Sequence, residues 1–111
     1  MNLDKQIACD KELFWDALKA VVDPEIGLNI VDLGMVYGIE LEPKEDHTYH
    51  VQITMTFTSP TCPMADLLLQ ETKTVITRLQ LCHDLEINIT FDPPWHRDMI
   101  TEEGRMHLGW L

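Results

Sequence analysis

A chain of 111 residues suits a single domain, and 45% hydrophobic content is enough for a core. The formal net charge of -11 excludes a nucleic-acid surface, which needs clustered Lys and Arg, and attachment to an anionic membrane. No apolar run is long enough to span a bilayer, and the polar first ten residues lack the apolar centre of a signal peptide, so the expected compartment is the cytoplasm.

Residues 1–9 read as a flexible N-terminal arm, leaving 10–111 as one domain. Asp10 can cap a first helix with Glu12 in its first turn. Phe14, Trp15, Leu18, Val21 and Val22 then recur at helical spacing, and Pro24 stops that helix. Residues 23–34 mix turn formers with Ile26, Leu28, Ile30, Val31 and Leu33, which want burial, so they form an ordered loop rather than a linker.

Three strands are predicted next. Met35–Leu41 has apolar odd positions, and Tyr49–Phe57 and Leu85–Phe91 alternate strictly. Alternation means one buried and one wetter face, so the helices belong on one side of a small, mostly antiparallel or mixed sheet. Residues 42–48 form the loop of the first hairpin. A second helix runs roughly from Pro63 to Gln80, with Met64, Leu67, Leu68, Val75, Ile76 and Leu79 as its core stripe. After Asp92-Pro93-Pro94-Trp95, Thr101-Glu102-Glu103 starts a short last helix that Gly109 can end. The fold class is α/β (α+β): a two-layer sandwich in the order helix-strand-strand-helix-strand, plus the C-terminal helix.

The residue most clearly placed for chemistry is Cys62, in Thr58-Ser59-Pro60-Thr61-Cys62-Pro63-Met64. It stands where a strand pattern gives way to a helical one. Free N–H groups and the positive end of the helix dipole favour an anion there, an environment that lowers a thiol pKa. Pro60 stiffens the approach, and Pro63 suits a first helical turn. Against this, free Cys is often a small buried hydrophobe.

The other candidates are weaker on local grounds. Asp23 and Glu25 could pair as carboxylates, but on local grounds the turn and helix-stop reading is preferred. Thr54 and Thr56 share a strand face leading toward Cys62 and could line it with hydroxyls, although Thr simply suits a half-exposed strand. Cys9 falls in the arm. Cys82 adjoins His83 at a helix end, where a His has an ordinary electrostatic reason to be. The three cysteines form no C-x-x-C and no disulfide framework. The five histidines show no paired metal-ligand spacing. Trp95 reads as a packing lid, with His96 and Arg97 beside it. Val36, Gly38, His50, Gln52, Thr54 and Thr56 form a strand face with little charge, which predicts a cover: the 23–34 loop and the Trp95 tail, or a second copy in a homodimer.

Several motifs occur together in order: Asp23-Pro24-Glu25; Asn29-Ile30-Val31-Asp32-Leu33-Gly34-Met35-Val36-Tyr37; Thr54-x-Thr56; Pro60-x-Cys62-Pro63; Pro93-Pro94-Trp95; and Met99-Ile100-Thr101-Glu102-Glu103-Gly104-Arg105. With them the chain resembles the MIP18 family, also called the DUF59 family, from about residue 10 onward, and is most similar to its stand-alone bacterial SufT-like members. The resemblance implies an iron–sulfur cluster assembly type of domain that assists the maturation of iron–sulfur proteins. It implies that Cys62 is the reactive thiol, and it gives weight to Asp23, Glu25, Asp32, Thr54 and Thr56 as its neighbours.

The expected function is therefore that of an accessory factor rather than an enzyme. Cys62 would bind iron or an iron–sulfur cluster transiently, or engage a carrier's thiol, with assembly scaffolds, carriers and client apoproteins as partners. No tightly bound cofactor is expected. The alternatives are a thiol-dependent enzyme or redox domain with Cys62 as nucleophile, and a client-docking adaptor without chemistry.

Overall fold

A computed structural model describes residues 2–110. Helix α1 spans Leu3–Leu18, two short strands follow at Val22–Asp23 (β1) and Leu28–Asn29 (β2), and β3 spans Val36–Pro43. Strand β4 covers Tyr49–Met55, α2 covers Ala65–Thr77, β5 covers Cys82–Ile89 and α3 covers Glu102–Leu108. The main sheet has the order β3-β4-β5, antiparallel between β3 and β4 and parallel between β4 and β5. It is the small mixed sheet that one-sided alternation implies.

The central strand shows why the helices lie on one side. Along β4, Tyr49, Val51, Ile53 and Met55 are buried while His50, Gln52 and Thr54 are only partly covered. The buried residues join Phe14 and Leu18 of α1 and Leu68 and Ile76 of α2 in one cluster. Phe14 meets the Tyr49 ring edge-on, with centroids 6.4 Å apart. Each such side chain contributes about 1.5–3 kcal/mol by leaving water.

The N-terminal arm is not an arm. Residues 3–10 are the first turns of α1, which starts at Leu3 and is capped by Asn2, whose side chain accepts from the Asp4 N–H at 2.9 Å. Asp10 is therefore not a cap. It is buried mid-helix and accepts hydrogen bonds from the Tyr49 hydroxyl and the Gln6 amide. A carboxylate can sit in the helix's core stripe because two donors meet it there. Met1 lies outside the described residues.

Smaller departures have local causes. Helix α2 begins at Ala65 with Met64 as N-cap, so Pro63 precedes the helix. Leu67 is 42% exposed and Thr72 takes a core position, its hydroxyl bonded to the Leu68 carbonyl at 2.7 Å. A bulge between Val36 and Gly38 pairs Val36 with Met55, which turns Val36 inward. The tail matches its reading: the Thr101 hydroxyl caps α3 at the Gly104 N–H, and Gly109 ends it at φ 74 in the left-handed region.

The open sheet face carries more charge than its β4 residues alone suggest. Cross-strand rows set Glu42, His50 and Asp84 side by side, then Glu40, Gln52 and Glu86, then Gly38, Thr54 and Asn88. The first two rows are acidic, while Val36 and Thr56 of the same face are buried and His50, Gln52 and Thr54 are partly covered. The tail bonds both to the loop before β3, at Leu33, and to β3 itself, at Tyr37.

Candidate functional site

The sheet's pairing gathers the motifs at one end. β3 starts, β4 finishes and β5 finishes there, with Val36 opposite Met55 and Met55 opposite Ile89. The loop through Asp32-Leu33-Gly34 enters this end, the turn bearing Cys62 leaves from it, and the Pro93–Trp95 tail starts beyond it. One backbone bond ties two of these segments, from the Thr56 N–H to the Met35 carbonyl at 2.8 Å.

The turn that carries Cys62 is held by its own residues. The Cys62 N–H donates to the Ser59 carbonyl at 3.2 Å, and the Ala65 N–H donates to the Cys62 carbonyl at 3.3 Å. The Ser59 hydroxyl also accepts from the Thr61 N–H at 3.2 Å. Cys62 is half-buried and its side chain packs against the core. It is not the cap of α2, since Met64 occupies that position and no side chain caps the helix.

Two of the expected neighbours, Asp23 and Asp32, brace the surrounding backbone. Asp23 is 2% exposed, its carboxylate accepting from the Glu25 N–H at 2.9 Å and its carbonyl from the Gly27 N–H at 2.7 Å. It closes the β1–β2 turn, and the exposed Glu25 lends this turn only its backbone. Asp32 accepts from the Asn29 amide at 2.8 Å and from the Thr101 hydroxyl at 3.0 Å, which ties the loop to α3. Thr54 and Thr56 occupy different environments. Thr54 is half-buried on the open face, whereas Thr56 lies beyond the strand, fully buried, with its hydroxyl donating to the Phe57 carbonyl at 3.3 Å. None of these hydrogen bonds reaches the Cys62 thiol.

Three contacts shape this end, and only the first, the packing of Trp95, was signalled by the sequence. The Trp95 indole N–H donates to the Leu33 carbonyl at 2.7 Å. The Tyr37 hydroxyl donates to the Pro93 carbonyl at 2.7 Å. Gly34, at φ +80, lies so close to Met99 that an added Cβ would stand 2.5 Å from its carbonyl oxygen. The expected lid is present, bonded to the loop before β3.

The remaining cysteines and histidines lie elsewhere. Cys9 is exposed on α1. Burial pushes the Cys82 thiol pKa up, and the nearby Asp84 charge adds to it, so this thiol is a poorer nucleophile than an ordinary one. His50 sits 2.8 Å from Asp84 and His83 3.6 Å from Asp46. His50 is the second residue of β4, about 15–20 Å of strand away from its last residue. Among the described residues, no group of three or more His, Cys, Asp or Glu side chains could hold a metal ion. No helix among them is long and apolar enough to cross a membrane.

Known proteins agree with this architecture. The chain is 41% identical over 99 residues to the Fe-S protein maturation auxiliary factor YitW of Bacillus subtilis, covering 89% of this chain and 93% of that one. It is 37% identical over 89 residues to the Fe-S protein maturation auxiliary factor SufT of Staphylococcus aureus, covering 80% and 97% of the two chains. The crystal structure of a DUF59 domain from Bacillus anthracis superposes with a TM-score of 0.78 at 34% identity, covering 89% and 91% of the two chains. Residues 11–89 match the family described as iron-sulfur cluster assembly protein, and the chain belongs to that family.

Proposed function

We propose that this protein is an auxiliary factor in iron–sulfur protein maturation, in which Cys62 supplies one thiolate to iron or a cluster passing between other proteins. The supporting observation is the position of Cys62: half-buried in a self-braced turn, at the sheet end where the motif segments meet. The names of its relatives, YitW and SufT, point to the same process.

The cargo cannot be enclosed by this thiol alone. Clusters are typically held by four cysteine ligands, and the described residues offer no group of three or more ligands. The remaining ligands come from a scaffold or carrier, a client apoprotein, a small thiol or a second copy of the chain. Binding is therefore transient, and the chain is a carrier or adaptor in the cytoplasm rather than an enzyme. The thiol-enzyme reading is weaker, because among the described residues no hydrogen bond joins a histidine or carboxylate to the Cys62 thiol as a base. The acidic rows Glu40–Glu86 and Glu42–Asp84 favour basic partners, which keeps the adaptor reading open as a complement.

Pull-down from cells expressing either the wild type or Cys62→Ser tests the proposal. Iron–sulfur proteins or assembly factors should be recovered with the wild type and lost with the variant. An unchanged set of partners would remove Cys62 from the mechanism and leave the adaptor reading.

A further inference from the structure

The other end of the sheet, where β4 begins, carries a second candidate. A cavity of about 470 Å³ opens between the first turns of α1 and the β3–β4 hairpin. That volume is within the range of small-molecule sites, about 300–1,000 Å³. Leu3, Pro43 and Leu81 give it apolar walls, and Asp10 and Tyr49 line its inner part.

Asp10 decides what such a cavity would take. The residue is only 7% exposed, and its carboxylate accepts from two neutral donors, the Tyr49 hydroxyl and the Gln6 amide, the latter at 3.1 Å. Each oxygen retains a further lone pair. No Lys, Arg or His forms an ion pair with Asp10 among the described residues. A buried carboxylate is normally matched by a cation.

Lys44 and His47 at the rim pull the other way, but weakly. Lys44 lies 3.8 Å from Glu42, and His47 is exposed, so both act through water. A charge beside Asp10 acts in a lower dielectric and counts for more. The net charge of -11 adds long-range attraction for cations. We infer that this cavity is a binding site for a small organic amine, its ammonium group donating to the Asp10 carboxylate and its apolar body lying against Leu3, Pro43 and Leu81. Tyr49 remains a donor to Asp10 at neutral pH, since burial and then Asp10 itself push its pKa up to about 12.

Phenethylamine is a suitable probe, with hydrocinnamate and phenethyl alcohol as its anionic and neutral counterparts. Each is titrated into the isotope-labelled full chain while amide and methyl resonances are followed. Saturable shifts at Leu3, Lys44, His47 and Leu81 are expected with the amine only, and Asp10→Asn should weaken binding about tenfold or more. Equal binding of the acid or the alcohol, full binding by folded Asp10→Asn, shifts centred elsewhere, or no saturable shift would each overturn the inference. Should Asp10→Asn fail to fold, Tyr49→Phe serves in its place. It keeps Asp10 and frees a lone pair, so amine binding must persist; its loss would equally overturn the assignment.

Discussion

Thr101 and Asp32, 69 positions apart, are joined twice: hydroxyl to carboxylate at 3.0 Å, and the Thr101 N–H to the Asp32 carbonyl at 2.9 Å. The same Thr101 hydroxyl caps α3 by accepting from the Gly104 N–H at 3.0 Å. One carboxylate thus sets both the course of the loop before β3 and the position of the last helix.

Asp32→Ala should therefore act on stability before it acts on chemistry. It leaves the Asn29 amide and the Thr101 hydroxyl without an acceptor, at a cost of about 1–3 kcal/mol. Denaturant unfolding should show that loss, and amide exchange should speed up across α3. Unchanged stability with lost function would instead make Asp32 a working part of the Cys62 site.

Gly34→Ala should be worse tolerated than an ordinary loop substitution. The residue has φ +80, and its new Cβ would meet the Met99 backbone at 2.5 Å. Strain and displacement of the tail should together cost more than about 1 kcal/mol. A variant as stable as the wild type would mean that the tail does not hold this position in solution.

Stability should also decline on the alkaline side. Tyr49 has a pKa raised from 10.0 to about 12, first by burial and then by Asp10. Its proton is held more tightly in the folded than in the unfolded chain. That contribution is fully present below pH 10 and is lost as pH rises through about 12. Unfolding curves of Tyr49→Phe should show a flatter decline over this interval, and an equally steep decline would assign the alkaline loss to other groups.

The sequence revealed most where the cause was local. The Thr101 cap, the Gly109 stop and the strict alternation in β4 depend on neighbours within a few positions, and each appears as read. What escaped reading depended on distant partners. Leu3, Ile7, Phe14 and Leu18 continue one helical spacing, but Asp10 within that stripe makes sense only with Tyr49, 39 positions away. The charge of the open face was hidden because Glu40 and Glu86 become neighbours of Gln52 only through strand register. Cys62 was legible as a junction residue and Asp23 as a turn former, its partners lying two and four positions on; the tie from Asp32 to Thr101 was not, because that partner is 69 positions away.

Cys62→Ser should fold nearly normally. The residue is half-buried, it does not cap α2, and its turn is held by backbone bonds that Ser keeps. A loss within about 1 kcal/mol fits a partly covered position. Gross destabilisation in a melting experiment would show that Cys62 is a core residue.

Anaerobic reconstitution with ferrous iron and sulfide, followed by visible absorption, tests the central claim most directly. The wild type should acquire cluster absorption only when a small thiol or a cysteine-bearing partner is added, and Cys62→Ser should acquire none under the same conditions, while Cys9→Ser and Cys82→Ser behave as the wild type. A stable cluster on the isolated monomer without added thiol, or equal loading of Cys62→Ser, would contradict the account.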